Sequence, residues 1–399
     1  VIKYLGSKRR LVPVIGRMVE AVGAGRTLDL FTGTTRVAQA CKALGAEVTA
    51  VDLARYSEVF ARCYIETDAR AIDPGELAEV VADLDARPGR PGYVTETFCH
   101  RARYFQPFNG ERIDAIREAI EIELADSPLY PILLTSLIEA ADRVDSTTGV
   151  QMAYVKDWAP RSFNRLELRV PKLLEGTGRA LRGEATELAG RLGHFDVAYL
   201  DPPYNQHRYF TNYHVWETLV AWDAPEHYGI ACKRVDARDP STKSIFNSKR
   251  TMPTALATVV AEVDCELLIL SYNDESWVHL DQLVAMCGQR EAVQVLSFDS
   301  PRYVGARIGI YNPRGERVGT VSRLRNVEHL VVAGSADAVE RAVEAGLATA
   351  AEQGIAGEAV RGSRVVDRAH GEARRGSVRQ GPVERMVAPR TVLQARGSA

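Results

Sequence analysis

Thr27-Leu28-Asp29-Leu30-Phe31-Thr32-Gly33-Thr34-Thr35 is the stretch whose reading decides the fold. Thr27 to Phe31 reads as a short apolar strand, and the residues after it as a Gly/Thr turn. A helix over about 35–44 follows, and in Glu47–Asp52 the alternation of Val48, Ala50 and Asp52 reads as a second strand. Upstream, Leu11, Val14, Ile15, Met18, Val19 and Val22 fall at helical spacing, which predicts an amphipathic helix over 11–22. Strand, turn, helix and strand make a βαβ unit, whose expected outcome is a parallel sheet. Glycine at the strand-to-helix turn lets a ligand approach the backbone. Asp52, about twenty residues on, can bind a ribose diol. A fold that binds a nicotinamide dinucleotide would explain both features equally well.

Outward from this unit the pattern changes. From about 55 to 150 the chain reads as helices of mixed charge, broken around Pro88–Gly92, and the helix from Ser127 to Val144 ends in the polar loop 145–149. Asp196–Leu200 returns as a compact apolar strand ending in Asp201-Pro202-Pro203-Tyr204, and Glu266–Leu270 is another, ending in Ser271-Tyr272-Asn273. Ile308–Tyr311 and Arg317–Val321 flank Asn312-Pro313-Arg314-Gly315-Glu316 as a hairpin. No aromatic residue follows Tyr311, and from Arg361 onward nine arginines face three acids. Such a composition buries too little surface to fold alone, so residues 334–399 are expected to be a disordered tail.

The Asp-Pro-Pro-Tyr turn carries the most chemistry. Two prolines at a strand end stiffen the backbone and remove two amide donors, leaving carbonyls free to accept. An adenine amino group fits beside them: its two N–H bonds can go to the Asp201 carboxylate and the Pro202 carbonyl, with the ring stacked on Tyr204. Held so, the nitrogen would pyramidalise and present its lone pair to a methyl donor, by positioning and electrostatics alone. A strand-terminating turn with an aspartate N-cap is the plainer reading. Lys3-Tyr4-Leu5-Gly6-Ser7-Lys8 could clamp a cofactor's adenine and carboxylate, or simply cap a helix as a basic loop.

In this order the three elements resemble the alpha group of DNA adenine amino-methyltransferases, the Dam-like family, over most of the chain. That family has a K-aromatic-x-G-[SG]-K element, then D-x-F-x-G-x-G, an acidic residue ending the second strand, a largely helical insertion and DPPY. The resemblance implies a Rossmann-like α/β catalytic domain split over 1–60 and 165–333, with a helical target-recognition insertion over 61–164. It implies S-adenosylmethionine as cofactor, contacted by Tyr4, Lys8, Phe31, Gly33, Asp52 and Asp201. A flipped adenine of double-stranded DNA would be held by Asp201, Pro202 and Tyr204. Phe210-Thr211-Asn212-Tyr213-His214 is similar to the family's aromatic-His loop, and Glu184 stands where an acidic residue often lies near the cofactor's adenine. Two residues depart from the pattern: Thr35 replaces the second glycine, and Glu184 the commoner aspartate.

Composition is ordinary for a globular protein, 46% hydrophobic and 26% charged, and no apolar run approaches the roughly 20 residues of a membrane span. Cys41, Cys63, Cys99, Cys232, Cys265 and Cys287 are scattered, which suggests neither a disulfide framework nor a metal site but reduced thiols in a cytoplasmic protein. The net charge of −2 does not mark a nucleic-acid binder, although Lys8-Arg9-Arg10, Arg161/Arg165/Arg169 and the stretch from Lys233 to Arg250 offer local basic surfaces. The cluster Phe98, His100, Arg101, Arg103, Tyr104 and Phe105 fits either DNA contact or the core of a helical subdomain. The alternatives are a cytosine amino-methyltransferase of the same architecture and a non-catalytic DNA-binding relative. A cognate restriction endonuclease stays open as a partner, and a membrane is not expected.

Overall fold

The apolar runs that mark the strands are apolar on both faces, and a sheet covered on both sides accounts for this. The computed structural model describes residues 2–6, 8–152, 154, 157–204, 206, 208–274, 276–301, 310–311, 317–319 and 325–360. Eight strands among them form one sheet: β1 Arg26–Asp29, β2 Glu47–Asp52, β3 Gly178–Arg182, β4 Phe195–Leu200, β5 Cys265–Asn273, β6 Ala292–Pro301, β7 Arg325–Gly334 and β8 Gly357–Val360. Their order is β8-β6-β7-β5-β4-β1-β2-β3. The five from β3 to β5 run parallel, whereas β7 is antiparallel to both β5 and β6, and β8 to β6. The expected Rossmann-like α/β sheet is therefore present.

Side chains along β4 show how the two faces are filled. Val197 and Tyr199 join the core beneath α1 (Val12–Ala21) and α2 (Arg36–Ala43), while Ala198 and Leu200 join the core on the opposite face. Between Asp52 and Gly178 no strand occurs among the described residues. That stretch is built from α3 (Arg55–Ala61), α4 (Pro74–Ala86), α5 (Pro107–Leu124), α6 (Tyr130–Val144) and shorter turns. Ile113, Ile116 and Ile120 of α5 and Ile132, Leu133 and Leu137 of α6 share one hydrophobic cluster with the sheet, so this helical part packs continuously with it. Each such side chain, fully buried, contributes about 1.5–3 kcal/mol.

The expected disorder from 334 onward is corrected for 334–360, and residues 361–399 lie outside the described residues. A helix, α9 (Ala336–Glu352), is capped by Ser335, whose Oγ accepts from the Ala338 N–H, and β8 then pairs with β6. The composition misled because α9 packs through small residues: Ala338, Val339, Ala342, Gly346 and Ala350 are buried. A Cβ at Gly346 would lie 3.0 Å from Met18 Cγ of α1, so the poor side chains are what lets the helices close up. Of the expected hairpin, Ile310–Tyr311 and Arg317–Gly319 do pair antiparallel. The edge strand β3 and the long strands β6 and β7 were not foreseen.

Sheet order reverses between β1 and β4. In open α/β sheets the crevice beyond the carboxyl ends at such a reversal is where ligands bind.

Candidate active site

The turn after β1 is built around two carboxylates. Buried Asp29 accepts from Thr32 Oγ1 at 3.0 Å and the Ala38 N–H at 3.1 Å, tying strand to helix, and burial pushes its carboxyl up to about 7. Asp52, at the end of β2, accepts from the Gly33 N–H at 2.8 Å and the Ala54 N–H at 2.9 Å. Burial raises its pKa, and these amide bonds oppose the rise. Gly33 has φ +52°, and a Cβ there would sit 3.0 Å from the Tyr4 ring, so neither its backbone nor its space suits a side chain. Thr35 keeps the left-handed conformation that glycine usually takes (φ 60°), its hydroxyl donating to the Thr34 carbonyl and accepting from Gln39 Nε2. The departure at this position changes the residue and leaves a glycine-like backbone.

At the end of β4, the Asp201 carboxylate is set 3.3 Å from Lys8 Nζ. The same ammonium lies 2.7 Å from Glu328 Oε2 on β7, and it is buried. Burial pushes Asp201 up to about 6 against the pull of Lys8, with Glu328 adding to the rise. Burial works against the charge of Lys8, but Asp201 and Glu328 outweigh it and hold its pKa well above the ordinary value. Tyr204 packs edge-on to Tyr272, ring centroids 5.8 Å apart, with Lys8 Nζ 5.6 Å from its own centroid. Pro202 is buried.

Aromatic packing anchors the N-terminal segment. Tyr4 stacks on Tyr213 (4.9 Å, 16°) and Tyr209 (5.3 Å, 26°), and the Leu5 N–H donates to Tyr213 Oη at 2.7 Å. Lys3 pairs with Asp142 and Asp145 at the end of α6, at 3.0 and 3.2 Å. A cavity of about 680 Å³ opens between these parts, lined among others by Tyr4, Phe31, Asp52, Glu184, Asp201, Pro203, Tyr209, Phe210 and Glu217. Four of the expected site residues, Tyr4, Phe31, Asp52 and Asp201, thus share one wall system. Gly33 stands behind Asp52, and Lys8, Pro202 and Tyr204 stand beside Asp201 without lining the cavity.

A family model described as D12 class N6 adenine-specific DNA methyltransferase matches residues 4–286. The chain belongs to that family.

Among relatives, the modification methylase StsI of Streptococcus sanguinis is 30% identical over 299 residues, covering 70% of this chain and 45% of that enzyme. The type II methyltransferase M.NlaIII of Neisseria lactamica is 30% identical, covering 70% of this chain and 86% of the relative. M.CviAII of Paramecium bursaria Chlorella virus 1 is 29% identical, covering 76% and 92%. The chain therefore spans under half of StsI and most of the other two.

Several readings that the sequence left open are decided by the structure. Phe98, Tyr104 and Phe105 are core, with Phe98 edge-on to Tyr104 and Phe105 against Trp216; only His100 and Arg101 of that cluster are exposed. His214 is fully buried, its Nε2 2.9 Å from the Gln151 carbonyl, and burial drives it down to about 3, so it is a neutral core residue. The basic stretches are partly spent internally: Arg161 pairs with Asp145, and Arg234 with Asp223 and Asp236. Arg238, Lys243, Lys249 and Arg250 are exposed, and Ser241, Thr242, Ser244 and Asn247 between them line the cavity.

Two carboxylates were missed. Glu328 sits 320 residues from Lys8 in the chain, and nothing local marks it. Glu217 on α7 (His214–Ala221) lines the cavity, and its Oε1 accepts from the Arg55 N–H at 2.9 Å. Burial pushes it up to about 7. An acidic residue within an apolar helix was the only signal for it.

Proposed function

We propose that this methyltransferase binds S-adenosylmethionine in the cavity between the ends of β1, β2 and β4 and places the amino group of a flipped adenine against Asp201. The single observation that carries this reading is that Asp52 and Asp201, on either side of the sheet's reversal, open to one cavity. The donor set fits such a cofactor. Asp52 offers acceptors to a ribose diol, Glu184 an acceptor to an amino edge, and Phe31 and Tyr4 apolar faces, with Gly33 leaving room for close approach. When bound, that cofactor supplies an electrophilic methyl group on a sulfonium.

The remaining work falls to the chain. Asp201 accepts a hydrogen bond from the amino group as positive charge develops on the nitrogen, the Pro202 carbonyl holds the second N–H, and Tyr204 supplies a face for the ring. Because the amino group is paired inside a duplex, the base has to leave the stack, at a cost of a few kcal/mol. We assign the reading of double-stranded DNA to the helical stretch 61–164, with the exposed basic residues 238–250 beside the cavity contacting phosphate. Relatives named as type II modification enzymes support a cognate restriction endonuclease as partner. No helix among the described residues is long and apolar enough to cross a membrane, and six free, buried cysteines accord with a reducing cytoplasm.

Asp201→Ala tests the assignment. Single-turnover methyl transfer to duplex DNA should fall at least about 100-fold, the loss of one preorganised electrostatic contact. Near-normal adenine methylation by this variant would sink the reading.

A further inference from the structure

Resting on the role of Asp201 above, we propose that Glu328 is a positioning residue for methyl transfer: it draws Lys8 toward itself, so that the ammonium keeps the Asp201 carboxylate ionised without bonding it closely. A buried carboxylate meant to accept from a substrate has two ways to fail. Without a nearby cation, burial protonates it and turns an acceptor into a donor. With a cation bonded directly to it, much of its negative charge is spent on the ion pair, which weakens it as an acceptor for the substrate.

The geometry at the strand ends avoids both. Lys8 Nζ donates to Glu328 Oε2 at 2.7 Å and stands 3.3 Å from Asp201 Oδ1, a buried oxygen, so its contact with Asp201 is the longer and weaker of the two. Glu328 cannot swing away easily, because its other oxygen accepts from Asn273 Nδ2 at 2.8 Å. Asn273 ends β5 and Glu328 faces it from antiparallel β7, so two neighbouring strands hold the carboxylate. Among the described residues, the other titratable groups that interact with Asp201 are Asp29 from β1, Tyr199 of β4, and Tyr209. Lys8 is thus the one cation in this set, and its division between two carboxylates sets the charge that Asp201 presents.

Glu328→Gln keeps the shape and the amide contact but removes the competing charge. Lys8 should then close on Asp201. Under single-turnover conditions at saturating cofactor, the acid limb of the rate profile should move to lower pH by roughly one unit. The plateau rate should fall about tenfold, the effect of a weaker acceptor in the transition state. Cofactor affinity should not change, and Glu328→Asp should restore part of the plateau. A merely structural role would lower the melting temperature and leave the limb in place.

Should Glu328→Gln fail to fold, Asn273→Ser, which frees the other oxygen of Glu328, should move the limb in the same direction by less. A folded Glu328→Gln protein with unchanged limb and plateau would overturn the proposal. Asp201→Asn separates the two readings. If it abolishes transfer while Glu328→Gln changes nothing, only the positioning role falls. If Asp201→Asn stays active, the assignment of Asp201 itself falls.

Discussion

The ends of β2 and β4 each carry an aspartate into the same cavity, yet the two are held in opposite ways. Asp52 is gripped by its own neighbourhood: two backbone N–H groups, from Gly33 and Ala54, bond its two oxygens. Asp201 is held by charge from afar, facing an ammonium from the N-terminal segment that it shares with a carboxylate on β7. Backbone amides give a fixed acceptor that is indifferent to the rest of the chain, suited to binding hydroxyls. Side-chain charges give an acceptor whose strength depends on three elements meeting, suited to a step in which charge develops. Binding and chemistry are thus separable by substitution.

Asp52→Ala should show the separation most strongly after Asp201 itself. Losing a buried carboxylate–diol contact costs about 1.5–3 kcal/mol, roughly 10- to 150-fold in cofactor affinity, whereas single-turnover transfer at saturation should change little. Calorimetry on a folded variant with wild-type affinity would remove Asp52 from the site.

A pH series sharpens the contrast further. Asp201 accepts only when ionised, and burial places its carboxyl at about 6 despite Lys8. The kcat/KM for transfer, which reports the free enzyme, should therefore be flat above about pH 7 and fall as pH drops through 6, approaching tenfold per unit below that. The sign follows from the raised pKa: lowering pH protonates Asp201 and removes the acceptor. A rate that held constant down to pH 5 would place the essential acceptor elsewhere.

The smallest effect is expected at Thr35, on the Asp52 side. Its left-handed backbone costs about 1–2 kcal/mol for a residue with a Cβ, and its hydroxyl makes two local hydrogen bonds that offset much of this. Thr35→Gly should then shift stability by less than about 1 kcal/mol and leave cofactor affinity within a factor of about two. A large drop in affinity would mean that the threonine side chain has taken over a cofactor contact.

Legibility followed the same division. The β1–α2–β2 unit could be read because its signals are local: an apolar strand, a glycine at a turn and a carboxylate at the next strand end, all within Thr27–Asp52. Asp-Pro-Pro-Tyr could be read because two prolines at a strand end are rare and rigid. By contrast α9 was taken for tail because Ala and Gly carry little hydrophobic signal, although a stripe of them is what close packing on α1 requires. For Phe98 and Tyr104 the sequence left core and DNA contact equally open, and it likened His214 to a loop near the site, because aromatic and imidazole groups suit both uses and only burial separates them.

Sequence alone determined that a βαβ turn with an acidic strand end, Asp52, would precede a strand ending in the proline-stiffened turn at Asp201, and with these features the family. Those features arise from backbone geometry over a few residues, which a short stretch of chain can specify. Tertiary structure alone decided that Lys8 would be shared between Asp201 and Glu328, that Glu217 would face the cavity, and that Gly357–Val360 would add an edge strand to the sheet. These depend on segments up to 320 residues apart being brought within bonding distance, and the strength of a buried charge depends on which others the fold sets beside it.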